Sequence, residues 1–325
     1  MSTNTPTVTP LITGLHHVTA ITGDAQANID FYTNILGLRM TKVTINYDDP
    51  SSYHLYFGDT LGRPGTAMTF FAWPRGHRGS AGTGQVTETA FSIPRGSIAF
   101  WQQRLEQHNI PAQSAKRFND NVLTFADTDG LPLALVETTT DDTHLWPHSG
   151  VPREHQIRGF HSVTLTEVAA TAPAGVLVNL FAFRQTARED NRTRFVRNDH
   201  GTAQVVDVLE VTKPVAPRMG IGQVHHVAFR TPDDANQAAW LETLQSRGHN
   251  VSPIMNRDYF HSIYFREPGG TLFEIATDNP GFTINEPASH LATRIQLPAW
   301  LEPHRTELEK HLPKIRLNDP VPDLG

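Results

Sequence analysis

One segment of this chain is written twice. HHVTAITGDAQANIDFYTNILGLRM starts at His16, and HHVAFRTPDDANQAAWLETLQSRGHNV starts at His225. Each reads as a strand, a turn, an amphipathic helix and a new strand. In the first copy Ile29, Phe31, Tyr32, Ile35 and Leu36 fit one apolar helical stripe, and the next strand follows Gly37. Asp24 and Asp233 fall seven residues after the second His of each pair, where a helix N-cap is needed. The downstream parts also correspond. YHLYFGDTLGRPGTAMTFF (Tyr53 to Phe71) parallels FHSIYFREPGGTLFEIAT (Phe260 to Thr277), each with a Tyr-Phe strand, a Gly-rich turn and a last strand after Gly-Thr. The repeated unit is therefore β-α-β-β-β. A repeat of this kind restricts the fold strongly, because one unit cannot bury its apolar face and must stack on a copy.

Two weaker copies lie between, one from Glu88 and one from Phe160. Four units then occupy residues 14–75, 85–140, 156–212 and 222–280. The expected class is α+β. Taken in chain order the units make two two-module domains, 14–140 and 156–280. A polar, Pro-bearing linker around Trp146 separates them. A tail, 281–325, follows, in which Pro298 to Pro313 is predicted to form one amphipathic helix.

Composition narrows the function. With 325 residues the chain can bury a core without staples. A net charge of −6 and a pI near 6.3 argue against nucleic acid or an anionic membrane as partner. There are no cysteines, so disulfides, zinc-thiolate sites and Cys nucleophiles are excluded. The opening MSTNTPTVTPLITG has no basic or apolar leader pattern, and no apolar run approaches a membrane span. A soluble, cytoplasmic protein is expected.

Aligning the units on their first and last strands exposes a pattern of metal ligands. The first-strand residues are His17, Glu88, Ser162 and His226; the last-strand residues are Thr69, Ala134, Val205 and Glu274. Units one and four alone combine ligand types usefully, as His17, His226 and Glu274. Two imidazoles and one carboxylate with no fourth protein ligand match the facial triad that holds non-haem Fe(II). A structural zinc site would be closed by four ligands. Strand alternation puts His17, Thr19 and Ile21 on one face and turns His16 away. Glu274 lies between apolar neighbours and needs a cationic partner, a metal or an Arg.

These motifs, LHHVT, VHHVAF and GGTLFEIATDNPGF, resemble the vicinal oxygen chelate superfamily over nearly the whole chain. YHLYFGDTLGRPGTAMTFF, NRDYFHSIYFREPGGTLFEIATD and LPAWLEPHRTELEKHLP further resemble its hydroquinone ring-cleaving dioxygenases. The resemblance implies two vicinal oxygen chelate domains and a site built from the first and fourth modules. It implies Fe(II), with Mn(II) as the alternative, on His17, His226 and Glu274. Around it, His16, Thr19, His225, Arg257 and Tyr264 are implied as supporting catalytic residues. Arg257 would stabilise a phenolate or reduced-oxygen anion. Tyr264 would donate a hydrogen bond or relay a proton. Tyr56, the unit-one equivalent of Tyr264, is expected in the core. Phe70, Phe71, Phe260 and Phe265 are candidates for an aromatic pocket.

The expected activity is an extradiol-type ring cleavage of a small aromatic diol by O₂, in a homo-oligomer. Two other readings stand beside it. A glyoxalase-type isomerase or lyase would want a second carboxylate where Thr69 stands. A binding or resistance protein without turnover would have no use for a complete triad.

Overall fold

The computed structural model describes residues 9–139, 144–198 and 200–322. The first residues of the chain and part of the linker, 140–143, lie outside the described residues. All four units have the expected order. The first is β1 (Leu15–Thr22), α1 (Ala25–Asp30), β2 (Arg39–Asn46), β3 (Asp49–Gly58) and β4 (Ala67–Ala72). The second is β5 (Gln85–Pro94), α2 (Ile98–Gln107), β6 (Gln113–Arg117), β7 (Asp120–Ala126) and β8 (Pro132–Thr138). The third is β9 (Phe160–Glu167), α3 (Thr171–Asn179), β10 (Arg184–Glu189), β11 (Arg192–Val196) and β12 (Val205–Glu210). The fourth is β13 (Val224–Thr231), α4 (Asp234–Ser246), β14 (Met255–Asn256), β15 (Phe260–Arg266) and β16 (Leu272–Pro280). In the tail, α5 is Arg305–His311.

Local signals explain the helix starts. Asp24 Oδ1 accepts from the Gln26 and Ala27 amides at 2.9 and 3.0 Å, and Asp233 Oδ1 accepts from Asn236 N at 2.9 Å. The first helix continues as a π-helical turn, Phe31–Ile35. Gly37, at φ +72°, then turns the chain into β2, and a Cβ there would lie 2.4 Å from Ser149 Oγ. The predicted Pro298–Pro313 helix is shorter than expected. It reduces to a 3₁₀ turn, Glu302–His304, followed by α5.

Strand pairing regroups the modules. One eight-stranded sheet has the order β14-β15-β16-β13-β1-β4-β3-β2, and the other β10-β11-β12-β9-β5-β8-β7-β6. Modules one and four share the first sheet and modules two and three the second. The two expected domains in chain order, 14–140 and 156–280, thus do not coincide with the two sheets. Backbone bonds tie the sheets together beside β1: Leu15 N donates to Ala203 O at 2.8 Å, and Phe160 N to Gly65 O at 2.8 Å. Among the described residues no helix is long and apolar enough to cross a membrane.

Register also corrects one alignment. In the third module Thr164, the equivalent of Ala228, faces Asp207, just as Ala228 faces Glu274. The equivalent of Glu274 is therefore Asp207 and not Val205. Arg194 and Asp207, paired across β11–β12, are as far apart in the chain as Tyr56 and Thr69 of the first module, and farther apart than Tyr264 and Glu274 of the fourth.

Candidate metal centre

β1 and β13 lie side by side and antiparallel at the middle of the first sheet, and β16 runs parallel to β13. This brings His17, His226 and Glu274 together from opposite ends of the chain. Their ligand atoms lie within 4.8 Å of one another, and all three residues are buried. Glu274 Oε2 is 2.9 Å from His226 Nε2 and 3.3 Å from His17 Nε2. The two Nε2 atoms are 3.3 Å apart. Glu274 Oε1 accepts from Ser262 Oγ at 2.5 Å. Its Oε2, by contrast, is a buried atom with no satisfied hydrogen bond. Burial alone would push the Glu274 carboxyl up, but the two imidazoles hold it well below the usual range. An orphaned carboxylate oxygen facing two imidazole nitrogens is a donor set that suits a divalent first-row cation.

His16 and His225 do reach this centre, against the alternation rule. Leu15 pairs with Phe229 and His17 with Ala228, so His16 is an extra residue on β1. Thr19 pairs with His226 and Ala20 with Val224, so His225 is an extra residue on β13. Both are β-bulges, which break alternation and re-aim a side chain. His16 Nδ1 is 2.9 Å from His17 Nδ1, and His225 Nδ1 is 2.8 Å from His226 Nδ1.

The His16 side of this arrangement fixes a tautomer. His16 Nε2 lies 3.1 Å from Thr277 O, which can only accept, so Nε2 carries the proton. Burial, and then His17, lower the His16 pKa well below its ordinary value, so the ring is neutral. Its Nδ1 is then an acceptor, His17 Nδ1 donates to it, and the His17 Nε2 lone pair points at the centre. Burial likewise pushes His225 down, to about 3.

A cavity of about 240 Å³ opens on the centre, walled by aromatic rings and a few polar groups. Phe71 and Phe260 line it, whereas Phe70 and Phe265 belong to the hydrophobic core. Arg257 Nε donates to Tyr264 OH at 3.2 Å, and its Nη2 is 3.3 Å from Asp48 Oδ2. Burial and the neighbouring Glu274 push the Tyr264 hydroxyl up, so it stays protonated. Thr19 Oγ1 is 2.8 Å from Thr69 Oγ1.

Sequence reasoning missed His54. Tyr56 is buried in a hydrophobic cluster with Tyr259 and Phe282, as expected, but its hydroxyl side also lines the cavity beside His54, with Tyr56 OH 2.8 Å from His54 Nδ1. Tyr56 pairs with Thr69 as Tyr264 pairs with Glu274, so the two tyrosines are true equivalents. Alternation could have found His54, since positions 54 and 56 share a face.

The second sheet keeps the bulges but not the site. Thr87 and His161 are the extra residues there, and His161 Nδ1 is 3.0 Å from Ser162 Oγ. At the ligand positions stand Glu88, Ser162 and Asp207. Arginines answer their charge: Arg117 Nη2 donates to Glu88 at 2.8 Å, and Arg194 Nε to Asp207 at 2.8 Å. Arg117 lies two residues past the Ala115–Val122 pair, as Arg257 lies two past Met255–Ser262.

Comparison with known proteins accords with this geometry. The family model of the Glyoxalase/Bleomycin resistance protein/Dioxygenase superfamily matches residues 14–275. The chain is 41% identical over 299 residues to "Putative ring-cleaving dioxygenase MhqO" of Bacillus subtilis, covering 92% of this chain and 95% of that one. It is 35% identical over 318 residues to the chlorohydroquinone/hydroquinone 1,2-dioxygenase of Sphingobium indicum, covering 95% and 97%. A crystal structure of a Bacillus subtilis protein superposes with a TM-score of 0.90 at 39% identity, covering 95% and 99%. Glyoxalase I from Zea mays shares the fold, with a TM-score of 0.59 at 12% identity, covering 82% and 92%.

Proposed function

We propose that this chain, which belongs to the Glyoxalase/Bleomycin resistance protein/Dioxygenase superfamily, is a metal-dependent dioxygenase that opens the ring of a hydroquinone or a related aromatic diol. The metal of this reading is Fe(II), and both atoms of O₂ enter the product. The observation that carries it is the buried His17, His226 and Glu274 cluster opening directly onto an aromatic-walled cavity. The named activities of the ring-cleaving relatives support the reaction class.

His17, His226 and Glu274 would hold the metal on one side and leave its other side to the cavity. When bound, the metal supplies Lewis acidity toward a phenolate oxygen and a redox path between ring and O₂. The chain's own residues do the rest. Ser262 and His16 orient two of the ligands. Phe71 and Phe260 pack against the histidine rings, Phe260 with its centroid 4.9 Å from that of His17. They form an apolar part of the cavity wall. The cavity, about 240 Å³, suits one substituted ring, since roughly 150 Å³ holds benzene. Arg257 places a positive charge where a phenolate would lie, and Tyr264 presents a hydroxyl held by that guanidinium.

A glyoxalase-type proton transfer is disfavoured by Thr69. The second carboxylate that chemistry wants is replaced by a hydroxyl, bonded to Thr19 and lying 3.0 Å from His54 Nε2. The test is oxygen uptake. Protein loaded anaerobically with Fe(II) and then given O₂ with hydroquinones and catechols should consume one O₂ per ring opened. His17→Ala and Glu274→Ala should lose both bound metal and uptake. No uptake with any ring diol would overturn the proposal.

A further inference from the structure

Thr69 occupies the position where the fold offers a fourth ligand. It faces Thr19 across the parallel β1–β4 pair, as Glu274 faces Ala228 across β13–β16. No carboxylate stands there. Instead four side chains form an unbroken hydrogen-bonded row. Thr19 Oγ1 meets Thr69 Oγ1 at 2.8 Å, Thr69 Oγ1 meets His54 Nε2 at 3.0 Å, and His54 Nδ1 meets Tyr56 OH at 2.8 Å. One end lies beside the metal ligands, since Thr19 shares a strand face with His17 and pairs with His226. The other end, His54 and Tyr56, is cavity wall.

The row differs in kind from the one through His16. There a carbonyl that can only accept locks the ring in one tautomer. Here both imidazole nitrogens of His54 meet hydroxyls, which donate or accept by rotating. The ring can take a proton at one nitrogen while releasing one at the other. Its packing against Phe71 and Tyr56, with ring centroids 4.5 and 4.1 Å away, holds it in line while this happens.

We infer that His54 is a proton-relay residue that carries the proton of a substrate hydroxyl between the metal corner and the cavity. The inference rests on the ring-diol reading above. In this step the substrate O–H bond breaks and its electron pair stays on the oxygen. The proton enters at Thr69 and His54 Nε2, another leaves from Nδ1 through Tyr56, and cavity water takes it. Nothing is oxidised or reduced, and His54 ends with the charge it began with. The groups facing His54 agree with a ring that passes a proton on without storing it. Burial, then His17, His226 and Arg257, disfavour its cation, and Glu274 opposes them only in part.

Two readouts test this, one without turnover. 4-Nitrophenol absorbs differently as phenol and phenolate. Mixed rapidly with Fe(II)-loaded wild type below its own pKa, it should develop the phenolate band within the mixing phase. In His54→Gln and Tyr56→Phe the same band should rise about a hundredfold more slowly, at unchanged iron content. In oxygen uptake both variants should lose about a hundredfold in kcat/KM near neutral pH. The deficit should shrink as pH rises and the substrate ionises unaided. A phenolate band that rises as fast in both variants as in wild type, or kcat/KM within twofold of wild type at every pH, overturns the relay. If His54→Gln does not fold, Tyr56→Phe alone decides, because it cuts the Nδ1 end. Wild-type inactivity on every ring diol would instead strike the functional reading, leaving the nitrophenol spectra to judge the relay.

Discussion

His16 and His17 divide a task that one imidazole cannot perform alone. A metal-binding histidine must present a lone pair at one nitrogen and keep a proton on the other, and something must decide which. At His17 the decision begins at the Thr277 carbonyl, passes through His16, and ends with a bare Nε2 facing Glu274. His225 stands in the same relation to His226, although among the described residues no carbonyl anchors its far nitrogen. His16→Phe should therefore weaken metal binding about 10- to 100-fold without unfolding the protein, read by competition with a chelator. His225→Phe should cost less in the same assay. Equal effects would mean that the carbonyl anchor contributes nothing.

β2 shows what an element needs from its surroundings. It is the edge strand of the first sheet, yet all eight of its residues are buried. The tail covers it: Gln296 N donates to Val43 O at 2.8 Å, and Asn318 Nδ2 to Met40 O at 2.8 Å. Covering an edge in this way prevents pairing with another chain. The clamp of this strap is ionic. Lys42, fully buried on β2, pairs with Glu286, and its Nζ also donates to Asn285 Oδ1 at 2.8 Å. Burial lowers the Lys42 pKa despite the carboxylate beside it. Glu286→Ala would strand that ammonium, at a cost of about 3–5 kcal/mol. Urea unfolding would measure it, and Lys42→Met with Glu286→Leu should recover much of the loss. The predicted Pro298–Pro313 helix fails for a local reason. Pro303 has no amide to donate and stands at the start of the 3₁₀ turn, Glu302–His304, so the helical bonds begin only with α5.

At the scale of the whole molecule, the two sheets are one design with two fates. Both keep the bulges, so the bulge belongs to the fold and not to the metal. In the first sheet imidazoles face Glu274. In the second sheet guanidinium groups supply the positive charge: Arg194 binds Asp207 at 2.8 and 3.0 Å and Asp120 at 2.6 Å. Where the sheets meet, Glu167 of β9 faces Glu267 after β15, with Thr271 Oγ1 donating to Glu167 Oε1 at 3.1 Å. Burial, and then Glu267, push the Glu167 carboxyl from 4.5 up to about 7. Its folded-state pKa is thus raised, so the native state holds a proton that the unfolded chain releases. The stability this contributes is complete below about 4.5 and is lost as pH rises through about 7. Glu167→Gln should flatten the fall in stability between those limits, measured as the difference in urea midpoint between the two proteins across that range.

The repeat, the ligand types and their places in the first and last strands were legible in the residues, because side-chain chemistry and strand periodicity are local properties. They sufficed to name His17, His226 and Glu274 together. The tertiary structure decided the rest: which modules share a sheet, that Asp207 and not Val205 stands at the third-module position, that His16 and His225 turn inward, and that His54 and Tyr56 wall the cavity. Each of these depends on hydrogen-bond register between strands far apart in the chain. A single extra residue in one strand of a pair reverses the direction of a side chain, and only the partner strand reveals that the residue is extra.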